Sequence, residues 1–307
     1  MKRIISLSFL LPIILISCDK ISNPIPEGNG AINWDLYPDN PSNYPYNFSD
    51  PGSNWTSNTN PERNILLEDY TGHKCTYCPA AATIAQNLEN TNPDRIIVAT
   101  IHASPDGAFQ EVDSEFLTDF TTTAGTDYTE EMLTWFGNPA GSINRLEGGI
   151  QNGVWYTSSN WTNKVNDELS SAPLLANIQV QTNYYGQTNG LFIHTETEFK
   201  SNLTSDYHLI IYLIRDAVIA PQKLSNGTTE EEYHHHSVLT DNINGTWGTP
   251  ISSGGVSAED KFYNDFSYEL QDPATDSTFE ITNLSLITFL CDRNSFEVIQ
   301  VVKTELP

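Results

Sequence analysis

The stretch Asn64-Ile-Leu-Leu-Glu-Asp-Tyr-Thr-Gly-His-Lys-Cys-Thr-Tyr-Cys-Pro-Ala-Ala-Ala82 decides how the rest of this 307-residue chain is read. It opens as a short apolar run closed by acidic residues, which predicts a buried strand. It turns at Thr71-Gly72 and enters a helix through Cys75-Thr76-Tyr77-Cys78. Two cysteines separated by two residues at a helix start can close a small disulfide ring. The free N–H groups and positive partial charge of the helix N-terminus stabilise a thiolate on the first of them. His73 and Lys74, directly before Cys75, add positive charge that lowers a thiol pKa further. This is the chemistry of thiol–disulfide exchange.

Working outward, Ala81, Ile84, Ala85 and Leu88 fall at three-and-four spacing and give the helix one buried face. Asn90-Thr91-Asn92-Pro93 ends it. Residues 95–102 are apolar on both faces, as in a central parallel strand, so the pattern is a right-handed βαβ unit. Glu115 to Phe120 predicts part of a second helix, and Glu130 to Phe136 another turn or two. Pro139 then stands before a short strand, in Gly137-Asn138-Pro139-Ala140-Gly141. Asn160 is placed to cap a helix through Ser171, with Trp161, Val165 and Leu169 inward.

Beyond residue 172 the texture changes to alternation. Ala176, Ile178, Val180, Thr182 and Tyr184 share one face, and Leu191, Ile193, Thr195, Thr197 and Phe199 repeat the pattern. Tyr207 to Ile214 is apolar on both faces, and Phe279 to Cys291 with Phe296 to Val302 predicts a hairpin. Helical periodicity is absent, so this half is expected to be an antiparallel β-sandwich.

The 14 Lys and Arg against 39 Asp and Glu give a net charge of −25, which disfavours nucleic acid, phosphate ligands and anionic headgroups as partners. The four cysteines, at 18, 75, 78 and 291, are too few for a disulfide scaffold. Met1-Lys-Arg3 followed by the apolar run from Ile4 to Ile16 has the form of a signal peptide and is too short for a comfortable span. It ends Leu15-Ile16-Ser17-Cys18, which resembles the lipobox of bacterial lipoproteins. That resemblance implies a signal over 1–17, acylation of Cys18 and anchoring to a membrane surface through it. Residues 18–61 are rich in Asn, Pro, Ser, Asp and Gly and are expected to form a flexible tether of roughly 35 Å root-mean-square reach. Trp34, Tyr44, Tyr46, Phe48 and Trp55 offer the other possibility, that the segment packs along the domain.

The strand-turn-CxxC-helix layout resembles thioredoxin-like proteins. Residues 66–79, together with Asn138-Pro139-Ala140-Gly141, Asn144-Arg145 and Asn244-Gly245-Thr246-Trp247-Gly248, are similar to a family named after a 28-kilodalton outer-membrane protein. The resemblance implies α/β plus all-β: a thioredoxin-like domain over 62–172, then an antiparallel Ig-like β-sandwich over 173–307, on a lipid-anchored protein of the cell outer membrane. It further implies Cys75 as the exposed attacking thiol, Cys78 as the shielded resolving thiol and Pro139 as a cis-proline beside the sulfurs. Asp69 takes the position of a buried aspartate that assists proton transfer. Strand alternation allows only one of Glu68 and Asp69 to face the site, and Asp69 is the choice. Lys74 and Thr76-Tyr77 depart from thioredoxin at the positions that govern redox potential and partner choice.

The function expected from this is thiol–disulfide exchange on extracytoplasmic proteins that carry cysteines, with no cofactor. The alternatives are a static disulfide on a surface module that binds a protein or glycan, and a subunit of an outer-membrane complex. A zinc site needs about four ligands and no second cysteine pair is present, so no metal is expected. Cys291, in an apolar strand, is expected to be a buried small hydrophobe. In the run His234–His236, alternate side chains share a strand face, which leaves metal binding conceivable beside a structural role.

Overall fold

The computed structural model of the protein describes residues 32–216 and 218–307. The signal, Cys18 and the first part of the expected tether lie outside them. The chain is a mixed α/β structure made mostly of sheet, with few helices. Its first half runs β1 (Ile65–Thr71), α1 (Cys78–Thr91), β2 (Ile96–His102), α2 (Thr123–Glu131), β3 (Ala140–Ile143) and α3 (Ser158–Ser171). The second runs β4 (Ala176–Tyr185), β5 (Gly190–Phe199), β6 (Tyr207–Arg215), β7 (Val218–Lys223), β8 (Thr229–His235), β9 (Val238–Asn242), β10 (Thr249–Ser252), β11 (Lys261–Glu269), β12 (Leu284–Asp292) and β13 (Val298–Glu305).

β1 pairs in parallel with β2 and antiparallel with β3. Residues 65, 67, 96 and 98 point to one face, where Ile65, Leu67, Ile96 and Val98 pack on Ala81, Ala85 and Leu88 of α1 and Trp161 and Val165 of α3. The opposite face carries Leu66, Tyr70, Ile97, Ala99 and Ile101. It is buried partly by Ala124 and Tyr128 of α2 and otherwise by Ile210, Tyr212, Ile214, Leu239, Ile287, Phe289 and Val301 of the second half.

The two halves therefore share a core, and they also share a sheet of order β13-β12-β6-β9-β2-β1-β3. The join is narrow: β2 meets β9 at Thr100↔Val238, and Thr100 N–H donates to Ser237 O at 2.7 Å. The expected division at 172/173 thus falls inside one continuous sheet. A second sheet, β11-β5-β4, packs over β6, β12 and β13 through Ile178, Ile193, Phe266, Leu209, Leu286 and Ile299 to make the sandwich layer.

From residue 32 onward the expected flexible tether is corrected. Leu36, Tyr44 and Tyr46 are buried with Phe192 on the outer face of β5, and Trp34, Tyr37 and Trp55 pack around them. Tyr46 stacks on His194 at 3.8 Å between ring centroids. The His194 ring bridges Tyr44 Oη at 2.8 Å and Asp265 Oδ1 at 2.7 Å. The aromatics outweigh the turn-rich composition because each buries a large apolar area.

Three local expectations are also corrected. Residues 115–120 are not helical: Asp113 Oδ1 accepts from the N–H groups of Glu115 and Phe116, an Asx-type turn that competes with a helix. The helix expected over 130–136 lies earlier, as α2, capped by Thr122 Oγ1 on Gly125 N–H. In α3 the cap position is Thr157, and Asn160 sits inside the first turn with its Nδ2 on Thr157 Oγ1.

Candidate functional site

Cys75 and Cys78 form a disulfide with Cα atoms 5.4 Å apart. Helix α1 begins at Cys78, so Cys75, Thr76 and Tyr77 form a turn leading into it, and Cys78 N–H donates to Cys75 O at 3.3 Å. The expectation of an exposed Cys75 is corrected: Cys75 is 2% and Cys78 1% accessible, whereas Tyr77 between them is 71% accessible. Two segments close over the turn. On one side Lys74 N–H donates to Phe109 O at 3.0 Å, and a Cβ on Gly72 would lie 2.6 Å from that same oxygen. On the other, Lys223 N–H of β7 donates to His73 O at 2.8 Å, and Gln222 Nε2 donates to Cys75 O at 3.1 Å.

Neither Lys74 nor His73 supplies the positive charge expected beside the sulfurs. Lys74 Nζ pairs with Asp113 at 2.8 Å and Glu111 at 3.3 Å. His73 is buried, with Nε2 3.0 Å from Glu111 O and its ring 4.9 Å from that of Phe116, and burial holds its pKa below the usual imidazole value. The Lys74 charge is thus paired with the 111–113 loop, and burial favours the neutral His73 ring.

Alternation along β1 sends Glu68 and Asp69 to opposite faces. Glu68 joins the core shared by the halves: it accepts from Arg145 Nε at 2.9 Å, Arg145 Nη2 at 2.7 Å, Ser142 Oγ at 2.6 Å and Tyr212 Oη at 2.8 Å. Desolvation opposes its charge, but the Arg145 guanidinium and these donors keep its pKa low. Asp69 goes to the α1 face. It is fully buried, neither carboxylate oxygen has a hydrogen-bond partner among the described residues, and desolvation pushes its pKa up to about 8. With Cys78 it lines a cavity of about 20 Å³, walled also by Gln222, Tyr233 and His235. That is room for about one water molecule.

Pro139 follows Asn138 through a cis peptide and leads into β3, whose Ala140 pairs with Tyr70. Asn138 Nδ2 donates to Ala103 O at 3.0 Å and to Thr71 O at 3.4 Å, and Gln110 Nε2 donates to Thr71 O at 2.6 Å, so the proline loop is bound to the strand end that carries the CxxC turn. Gly141 beside it has no room for a Cβ, which would lie 2.4 Å from the Trp161 ring.

The histidine run is split by strand alternation. His234 and His236 are exposed, and His235 is buried with its ring 5.4 Å from His102 and 4.7 Å from Phe120. Burial lowers the His235 pKa to about 4 and that of His102 well below the usual value. Among the described residues no cluster of His, Cys, Asp and Glu has the arrangement of a metal site. Cys291 is buried and reduced, its thiol pushed up to about 11 by burial.

The sequence reading missed Gln222, Tyr233 and His235 as walls of the CxxC cavity. They come from about 150 residues downstream, on a hairpin whose histidine run was read only as a metal or structural feature and whose Gln222 belongs to no motif. Asn244–Gly248 is structural: Asn244 Nδ2 donates to Leu209 O at 2.7 Å, Trp247 Nε1 donates to Glu131 at 3.0 Å, and Gly248, at φ 68°, leaves no space for a side chain against Leu209 O.

The chain belongs to the family of outer membrane protein Omp28, whose model matches residues 127–307. That stretch includes Pro139 and Asn244–Gly248 but begins after the two cysteines. The protein is one of the cell outer membrane. No helix among the described residues is long and apolar enough to cross a membrane. Among solved structures, HBP35 of Porphyromonas gingivalis is similar in fold, with 16% identity, a TM-score of 0.59, and 80% of this chain and 76% of that chain covered. A domain of the outer membrane lipoprotein Omp28 from Porphyromonas gingivalis matches with 20% identity and a TM-score of 0.30, covering 44% of this chain and 92% of that one. No curated protein matches.

Proposed function

We propose that this envelope protein carries out thiol–disulfide exchange on cysteine-bearing extracytoplasmic proteins, using Cys75 and Cys78 in a thioredoxin-like module over 62–172. The observation that carries the reading is the cavity shared by Cys78 and the unpartnered, buried Asp69, beside a closed Cys75–Cys78 bridge. A static disulfide has no need of a proton-exchanging acid in a buried pocket, whereas an exchanging one does.

In the oxidised protein a substrate thiolate attacks Cys75 Sγ. The Cys75–Cys78 bond breaks, and Cys78 leaves as a thiolate that takes the proton held by Asp69. A second substrate thiol, deprotonated, then attacks the mixed disulfide at the substrate sulfur and releases Cys75. The substrate dithiol has become a disulfide, and two electrons rest on the Cys75/Cys78 pair. In reverse, Asp69 carboxylate accepts the Cys78 proton so that Cys78 can attack. Pro139, at the start of the edge strand β3, is assigned to holding the substrate backbone. Cys18 is assigned to the lipid anchor; a Cys18→Ala protein that still fractionates with membranes would remove that assignment.

The reading is tested by equilibrating the purified protein in dithiothreitol buffers and trapping thiols with acid. An exchanging pair poises above about −300 mV, in the range of known oxidoreductases, and a static one below it. The burial of both sulfurs favours a second reading, a surface module whose bridge is structural and whose sandwich binds a protein or glycan. The same measurement separates the two.

A further inference from the structure

We propose that the β7–β8 hairpin is a strap over the Cys75–Cys78 disulfide, and that chemistry at the sulfurs requires the strap to lift. The proposal rests on the exchange reading for its biological purpose, but its physical content concerns access alone.

The hairpin is a two-stranded sheet of its own that joins neither larger sheet among the described residues. Isolated two-stranded hairpins are marginal in water, so what holds this one is its contacts with the body. Its buried footing on the sheet is small: Val218 and Ala220 pack with Phe120 and Val238, and the His235 ring lies against Phe120 and His102. Its hydrogen bonds to the body are concentrated on the CxxC turn. Lys223 N–H donates to His73 O, and Gln222, buried to 2% accessibility, donates through Nε2 to Cys75 O at 3.1 Å and Gly72 O at 3.4 Å. A rim contact comes from Glu115, which accepts from Thr229 Oγ1 and lies 3.6 Å from Lys223 Nζ.

From β8, Tyr233 and His235 close the cavity that contains Cys78 and Asp69. Glu230, Glu231 and Glu232 of the same strand are all exposed to solvent. The carbonyls of the turn that an incoming extended chain would pair with are thus already occupied by β7. A small element with few buried apolar contacts and a handful of hydrogen bonds belongs to the low-stability end of a structure, where local opening precedes global unfolding.

The test is reduction of the full chain by dithiothreitol, followed by acid quench and maleimide labelling, for wild type and Gln222→Ala. The strap predicts wild-type reduction at least about 100-fold slower than that of the same protein unfolded in urea. It also predicts that Gln222→Ala, which removes both latch hydrogen bonds, is reduced about tenfold faster than wild type. Hydrogen exchange keeps the test sound: the Lys223 amide should exchange faster in Gln222→Ala while the amides of β5 stay unchanged, which also shows that the variant is folded. Wild type reduced as fast as the unfolded chain, or a folded Gln222→Ala with unchanged rate and unchanged Lys223 exchange, overturns the strap. A slow, latch-dependent reduction at a potential below about −300 mV would uphold the strap and remove the exchange reading.

Discussion

Replacing Asp69 by Asn should make the folded protein more stable above pH 5, and the size of the gain can be worked from the site. In the unfolded chain Asp69 ionises near 3.8; in the fold, with no partner for either oxygen, it holds its proton to about 8. Between those values the folded state carries one proton more than the unfolded state, so wild-type stability falls as pH rises through the window. The slope is about 1.4 kcal/mol per pH unit for a single group. Asn has nearly the shape of the neutral acid and cannot ionise. The two proteins should therefore match at pH 4, differ by about 4 kcal/mol at pH 7 and show no further divergence above pH 8. The other titratable groups on this cavity, Glu89, Tyr233 and His234 to His236, are common to both, so the difference isolates Asp69. Urea unfolding with the disulfide intact, at fixed ionic strength from pH 4 to 9, measures it. A difference independent of pH, or an Asn variant less stable at pH 7 to 8, would refute the assignment of an unpaired buried acid.

Three further outcomes follow from the same contacts. His235 should titrate near pH 4 in ring-resolved NMR; because its folded pKa lies below the unfolded 6.5, its contribution is present above pH 6.5 and is lost on acidification toward 4, about 3 kcal/mol that His235→Gln should remove from the pH profile. Glu68→Gln leaves the Arg145 guanidinium buried without its counter-charge and should cost about 3–5 kcal/mol in denaturant unfolding, far more than loss of the exposed pair Lys74–Glu111. Tyr46→Ala removes the ring stacked on His194, and limited proteolysis should then cut within residues 32–55 while the sheets stay protected.

The CxxC unit was legible because its signals are local. Turn residues stand at 71–72, the helix face repeats at 81, 84, 85 and 88, and alternation in β1 forces Glu68 and Asp69 apart. The rest was set by partners distant in sequence. Phe116 and Phe120 have helical spacing, yet they are buried against His73 and His102, and Asp113 holds a turn there instead. The division at 172/173 looked clean because the periodicity changes, but β1 and β2 bury their second face on Tyr212 and Phe289, which no local pattern announces. Gln222 reaches Cys75 through a hairpin whose own sequence, Val218–Lys223, reads as an ordinary short strand.

The central claim, that the Cys75–Cys78 bridge turns over, is tested most directly by expressing the full chain with Cys78→Ser and quenching cells with acid. If Cys75 is an exchanging thiol, it is caught in mixed disulfides with other envelope proteins, and these vanish in Cys75→Ser/Cys78→Ser. A Cys78→Ser protein recovered wholly as free thiol, in cells whose wild-type protein keeps its bridge, would contradict the account.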